Sequence, residues 1–204
     1  MNEIENINIR EFQKKDLGQV VDICVYAFYK KFHKTLNLKK EDLANFLIDL
    51  GIVPSFSQPG YFIAEIDDKI IGVLILSWKR QKLTKTRIDY FSLFSKYGWK
   101  NVIDTMIGLI ALDIKPKKEI CIFKSMAIIP DMQKRGFAAK LAKYGIEYAK
   151  KEGFKKIALR IASSNTKAIN HIERLNFRIK KEEKIYYSKI FFGIEKWHYY
   201  ELLL

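Results

Sequence analysis

The chain has only two cysteines, four prolines and three histidines among its 204 residues. Cys24 and Cys121 stand in unrelated segments with no paired spacing, which argues against a disulfide framework and makes each a small buried hydrophobe. His33, His171 and His198 are scattered, so local spacing assembles no metal site. No apolar run reaches the roughly 20 residues that a bilayer span needs. The longest, Val102 to Ile114, contains Asp104 and Asp113. The opening residues, Met1 to Asn6, lack the basic stretch and apolar run of a secretory signal, so a cytoplasmic protein is expected. Repeats and Pro/Gly/Ser-rich linkers are missing too. Residues 1–204 are therefore expected to form a single domain.

Arginine is also scarce. The net charge is +14, but only seven of the 37 basic residues are arginine, the side chain suited to bidentate phosphate and base-edge contacts. A nucleic-acid-binding protein therefore rests on charge alone. The excess positive charge still draws anionic ligands electrostatically.

What is present alternates between two periods. Ile4, Ile7 and Ile9 predict a first strand ending near Arg10. Asp16 is placed to cap a helix that carries Val20, Ile23, Cys24, Ala27, Phe28 and Phe32 at helical spacing. A second helix is predicted from Lys39 to Leu50, stopped by Gly51 with Pro54 beyond. Tyr61–Ile66 and Ile70–Trp78, joined by Asp67-Asp68-Lys69, have the signature of a hairpin. Residues 79–118 are predicted to be a largely helical insertion that could add a lid, with Tyr90, Phe91, Leu93, Phe94, Tyr97 and Trp99 forming a small satellite core rather than a ligand cage. A strand then runs from Ile120 to Ile129, ended by Pro130. A helix follows from Lys134 to Lys151, a strand from Ile157 to Ile161 and a helix from Asn165 to Leu175, with further strands from Phe177 onward. The alternation predicts a layered α/β domain.

The segment with the most chemistry is Gln133-Lys134-Arg135-Gly136-Phe137-Ala138. A helix start has free backbone N–H groups and a partial positive charge. Gly136 and Ala138 lack bulk, so a diphosphate can approach that backbone, while Lys134 and Arg135 add charge. The pattern fits neither a P-loop nor a dinucleotide fingerprint.

Gln133-x-x-Gly136-x-Ala138 resembles the pyrophosphate motif of the GNAT superfamily of N-acetyltransferases. Asn165-Thr-Lys-Ala168-Ile169-Asn-His-Ile-Glu173-Arg174-Leu175-Asn176-Phe177 resembles that superfamily's second motif, in the right order and at the right separation. The resemblance covers the chain outside 79–118. It implies a GNAT-like, mostly antiparallel mixed sheet with helices on both faces, and acetyl-CoA as co-substrate. It also implies cofactor contacts from Met126, Ala127 and Ile128 on the motif strand, from Gln133, Lys134, Arg135, Gly136, Phe137 and Ala138 in the loop, and from Asn165 on the pantetheine arm. Strand contacts of this kind run through backbone groups, with one N–H near Ile128 free to polarise the thioester. Asn165 is equally suited to be a helix N-cap.

The catalytic groups do not carry over. Many GNAT enzymes protonate the leaving thiolate with a tyrosine at the position that is Ile172 here, and isoleucine has no proton to give. His171 is adjacent but lies to one side of the helix's apolar face, and is expected to be partly exposed. Glu119 is the acid at the start of the motif strand, and Tyr186, Tyr187, Tyr199 and Tyr200 are the tyrosines near the end of the chain; none is selected as base or acid. The acceptor is expected to be a small-molecule amine or a protein amino group. It would be shaped by Tyr26, Tyr29, Phe32, His33 and the segment 51–60. The sequence leaves a homodimer open. The competing reading is an acyl-CoA-binding module without transfer chemistry.

Overall fold

Seven strands form one sheet in the computed structural model, which describes residues 7–32, 38–53, 57–82 and 88–204. In chain order they are β1 (Asn8–Glu11), β2 (Tyr61–Ile66), β3 (Lys69–Ser77), β4 (Ile120–Ile128), β5 (Lys156–Ala162), β6 (Arg178–Lys184) and β7 (Lys196–Leu203), arranged β1-β2-β3-β4-β5-β7-β6. Every neighbouring pair is antiparallel except β4–β5. The expected mixed, mostly antiparallel sheet is what forms. Ile4, His33, Pro54 and residues 83–87 of the insertion lie outside the described residues.

Each face of the sheet carries its own apolar layer. Helices α1 (Leu17–Phe32), α2 (Lys40–Asp49), α3 (Tyr90–Tyr97) and α4 (Trp99–Leu112) share one cluster with Ile63 and Val73. Helix α7 (Tyr186–Phe192) packs on α4 and α1. The opposite face buries α5 (Phe137–Lys151) and α6 (Thr166–Glu173) through Leu141, Ile172 and Phe177. A parallel neighbour cannot be reached by a tight turn, and α5 is the crossover from β4 to β5. It sits close to the sheet because Gly145 has no side chain: a Cβ there would lie 2.6 Å from Leu74 Cδ2 and 3.0 Å from Phe123 Cζ. Gly145→Val is therefore expected to overpack this layer and cost about 1–3 kcal/mol, measured by denaturant unfolding.

Three local expectations need correcting. Asp16 does not cap α1. It ends a 3-10 turn, Lys14–Asp16, and its buried carboxylate accepts two hydrogen bonds from Arg10, at 2.7 and 2.9 Å, and one from the Gln13 N–H. The aromatic residues of 79–118 do not make a satellite core. Leu93, Tyr97 and Val102 join the α1–α2 core, with the Phe46 and Tyr97 rings edge to face, whereas Phe91 and Trp99 stay exposed. The run after Phe177 is not all strand, since α7 separates β6 from β7. Its anchor is Ser188, fully buried, whose Oγ donates to the Ile194 carbonyl and accepts from Trp197 Nε1.

Candidate functional site

Strands β4 and β5 separate soon after they meet. Only Ile120, Cys121 and Ile122 pair with Lys156, Ile157 and Ala158. Beyond Ile122–Ala158, among the described residues, β4 has no strand on its β5 side, so a wedge-shaped gap opens toward Ile128. On its other side β4 follows β3 up to Gly72↔Ile128, with a register shift opposite Ile75/Leu76 that leaves Lys124 unmatched.

The antiparallel register decides which backbone groups face the gap. Ile129 N–H donates to the Ile71 carbonyl. Hydrogen-bonded and non-hydrogen-bonded pairs alternate along a ladder, so Ala127, opposite Val73, turns its N–H and C=O to β3. Met126 and Ile128, opposite Leu74 and Gly72, turn theirs into the gap. The expectation that Met126, Ala127 and Ile128 all present backbone groups is corrected at Ala127.

At the mouth of the gap, Pro130–Met132 form a 3-10 turn, and Gln133 folds back so that its Nε2 donates to the Ile128 carbonyl at 3.0 Å. Gln133 thus braces the loop against the end of β4. Lys134 and Gly136 both take left-handed backbone, with φ of +65° and +86°, and α5 begins only at Phe137. Lys134 and Arg135 therefore belong to the loop, not to the helix as expected. Their alternation of conformations makes a concave run of N–H groups that suits an anion. The Phe137 and Ala138 N–H groups at the helix start have no intrahelical acceptor by geometry. The Phe137 side chain is buried in the α5 layer, under the Lys140 ammonium. A Cβ on Gly136 would meet no atom within 4 Å, so glycine is required there by its φ and not by crowding in the protein itself.

At the other side of the gap Asn165 caps α6, its Oδ1 accepting from the Ala168 N–H at 3.2 Å. Ile172 is buried in the α5 layer. His171 is half-buried, as expected, with its ring against the Ala138 backbone. Burial pushes its pKa below the usual histidine value, the Ala138 contact opposing in part. It sits at the loop end of the gap. Glu119 is at the opposite, closed end, where it pairs with Lys155 at 2.7 Å and is held below the usual carboxylate range. Tyr186 and Tyr187 lie exposed on α7. Tyr200 is buried on the α5 face, its hydroxyl donating to Glu173 at 2.9 Å. Tyr199 points to the other face, opposite Arg160. Both cysteines are buried free thiols pushed up to about 12 by burial, unsuited to nucleophilic work.

Residues 85–177 match the model of the acetyltransferase (GNAT) family. No curated protein sequence matches the chain. Solved structures with the same fold include the ribosomal-protein-S18-alanine N-acetyltransferase of Escherichia coli (TM-score 0.55, 15% identity, 97% of this chain and 94% of that one). Ard1 of Thermoplasma volcanium gives 0.59 at 12% identity, covering 97% of each chain. The yncA protein of Salmonella typhimurium, solved with its cofactor acetyl-CoA, gives 0.58 at 14% identity over 97% and 94%. With the gap, the left-handed loop and both motifs in place, the chain has the fold of these acetyltransferases, of which the yncA structure holds acetyl-CoA, and its residues 85–177 resemble the GNAT family.

Proposed function

We propose that this acyltransferase moves the acetyl group of acetyl-CoA directly to a primary amine inside the β4–β5 gap. The observation that carries the reading is the early parting of β4 from β5, with an anion-binding loop at the open end. The pyrophosphate would lie on the N–H groups of Gly136, Phe137 and Ala138, with Lys134 and Arg135 adding charge. Pantetheine would run down β4 as an added strand, pairing with Met126 and Ile128, while Asn165 flanks it from α6. A strand rises about 3.3 Å per residue. An extended arm descending from Ile128 thus brings the thioester toward the apex at Ile122, and the polarising N–H belongs nearer Met126 than Ile128.

In the transfer the amine, having lost its ammonium proton to water, attacks the thioester carbonyl. The C–N bond forms, the nitrogen gives up its remaining extra proton to water, the C–S bond breaks, and CoA leaves as a thiolate that takes a proton from water. Ile172 cannot supply that proton, and His171 lies at the wrong end of the gap. Solvent protonation is the simplest account, with rate acceleration coming from proximity and orientation.

Ile172 also favours a second reading, an acyl-CoA-binding module without turnover. Thioester consumption measured against an amine panel separates the two. Amine-dependent release of free CoA is expected. Stabilisation by CoA with no release on any amine would leave only the binding module.

A further inference from the structure

The face of the sheet opposite α5 is incompletely covered. Helix α7 sits over Trp197, and the linker from α4 to β4 crosses Ile120. Between them a cavity of about 270 Å³ remains, near the lower end of small-molecule sites, which span roughly 300–1,000 Å³. Its position is the informative feature. Ile122, the last β4 residue to pair with β5, lines it. So does Arg160, two residues past Ala158 on the same face of β5. The cavity therefore opens at the apex of the gap, from the side the α5 layer does not occupy.

Its walls are charged and unequal. Glu183 accepts from Arg160 Nε at 2.8 Å and also meets Lys181. Glu201 is met by Lys156 at 3.1 Å and by the Tyr199 hydroxyl at 3.4 Å. Asp113 pairs with Lys124 at 3.3 Å. Each acid lining the cavity thus has a cation of its own, and Glu183 has two. Lys115 and Lys117, on the linker that roofs the cavity, add further positive charge. A recessed site with one sign in excess concentrates ligands of the opposite sign. The apolar lining of Ile114, Ile120 and Ile122 accepts a short carbon skeleton.

Resting on the acetyl-transfer reading above, we propose that this cavity is the acceptor site and that it selects a small amine bearing an anionic group, a carboxylate or a phosphate. The anionic group lies toward Lys115 and Lys117, and the amine points to the apex at Ile122, facing the thioester.

The test uses the full chain with acetyl-CoA and four acceptors at equal ionic strength: glutamate, phosphoethanolamine, propylamine and spermidine. CoA-dependent thermal stabilisation is recorded first, because its absence would count against the groove itself and not against the acceptor assignment. With that stabilisation present, kcat/KM at least tenfold higher for glutamate or phosphoethanolamine than for propylamine and spermidine is expected. Whichever of the two anionic amines leads identifies the anionic group. In the K115E/K117E variant, KM for that amine should rise at least tenfold with kcat and CoA stabilisation little changed. Preference for propylamine or spermidine, or a KM unmoved by K115E/K117E, would overturn the proposal. So would a CoA-stabilised protein that neither turns over nor is further stabilised by either anionic amine.

Discussion

Gly136→Val is expected to abolish the thermal stabilisation that CoA confers, while the unliganded protein still folds. At a hundredfold excess over Kd a ligand adds about 2.7 kcal/mol. For a chain of this length that corresponds to a rise in Tm of roughly 5–10 °C. The variant should show almost none of it, for two separable reasons. Gly136 holds a φ of +86°, where a β-branched residue is an outlier, so the N–H groups of the loop would turn away from their common focus. The space around its missing Cβ is open, and a side chain there would fill the volume a phosphate needs. Gly136→Asn distinguishes the two, because asparagine tolerates left-handed backbone. If Asn restores much of the stabilisation, conformation is the larger cause; if it does not, occupied volume is. A normal CoA-induced shift in Gly136→Val would mean that the phosphate binds elsewhere.

Arg10→Ala should give the largest loss of stability. The Arg10 guanidinium joins Asp16, at 2.7 and 2.9 Å, to Glu65, at 2.7 and 3.0 Å, and so ties β1 and the start of α1 to β2. Removing one member of a buried pair strands the other charge and costs about 3–5 kcal/mol. Arg10 keeps some exposure, so the lower end, about 3 kcal/mol, is expected, a fall in Tm of roughly 6–12 °C. The pH dependence should weaken as well. In the wild type Arg10 holds both carboxyls below their usual pKa values. Their contribution is therefore complete above about pH 4 and is lost as acid protonates them in the folded state. In Arg10→Ala that hold is gone, and burial raises the Asp16 pKa against the Gln13 N–H bond that remains, so less stability is lost on acidification than in the wild type. Urea unfolding at several pH values measures both effects. Parallel pH profiles for the two proteins would show that the pairing matters little.

How much was legible in the sequence depended on range. The hairpin between β2 and β3 was visible because Asp67 and Asp68 both adopt left-handed backbone in a two-residue turn, a demand met by adjacent residues. The left-handed loop at Lys134 and Gly136 was visible for the same reason. Helix α7 was not, because Tyr186-Tyr187-Ser188-Lys189-Ile190-Phe191-Phe192 is rich in residues that favour strands, and only packing on α4 and the buried Ser188–Trp197 hydrogen bond make it helical. The role of Asp16 was missed because it is held by Arg10, whose other carboxylate, Glu65, lies far away in the chain.

The sequence by itself determined a glycine-bearing helix start whose free N–H groups suit an anion. Gln133, Gly136 and Ala138 set that geometry within one short segment, where turn chemistry acts on neighbours. The tertiary structure alone decided the shape of the gap and what faces its apex. That depends on where β4 leaves β5, on the β3 register that turns Met126 and Ile128 rather than Ala127 into the gap, and on a cavity that joins residues 113–117 to Arg160, Glu183 and Tyr199. Groups so far apart in the chain are brought together only when the sheet closes over its two apolar layers, and no local pattern records their meeting.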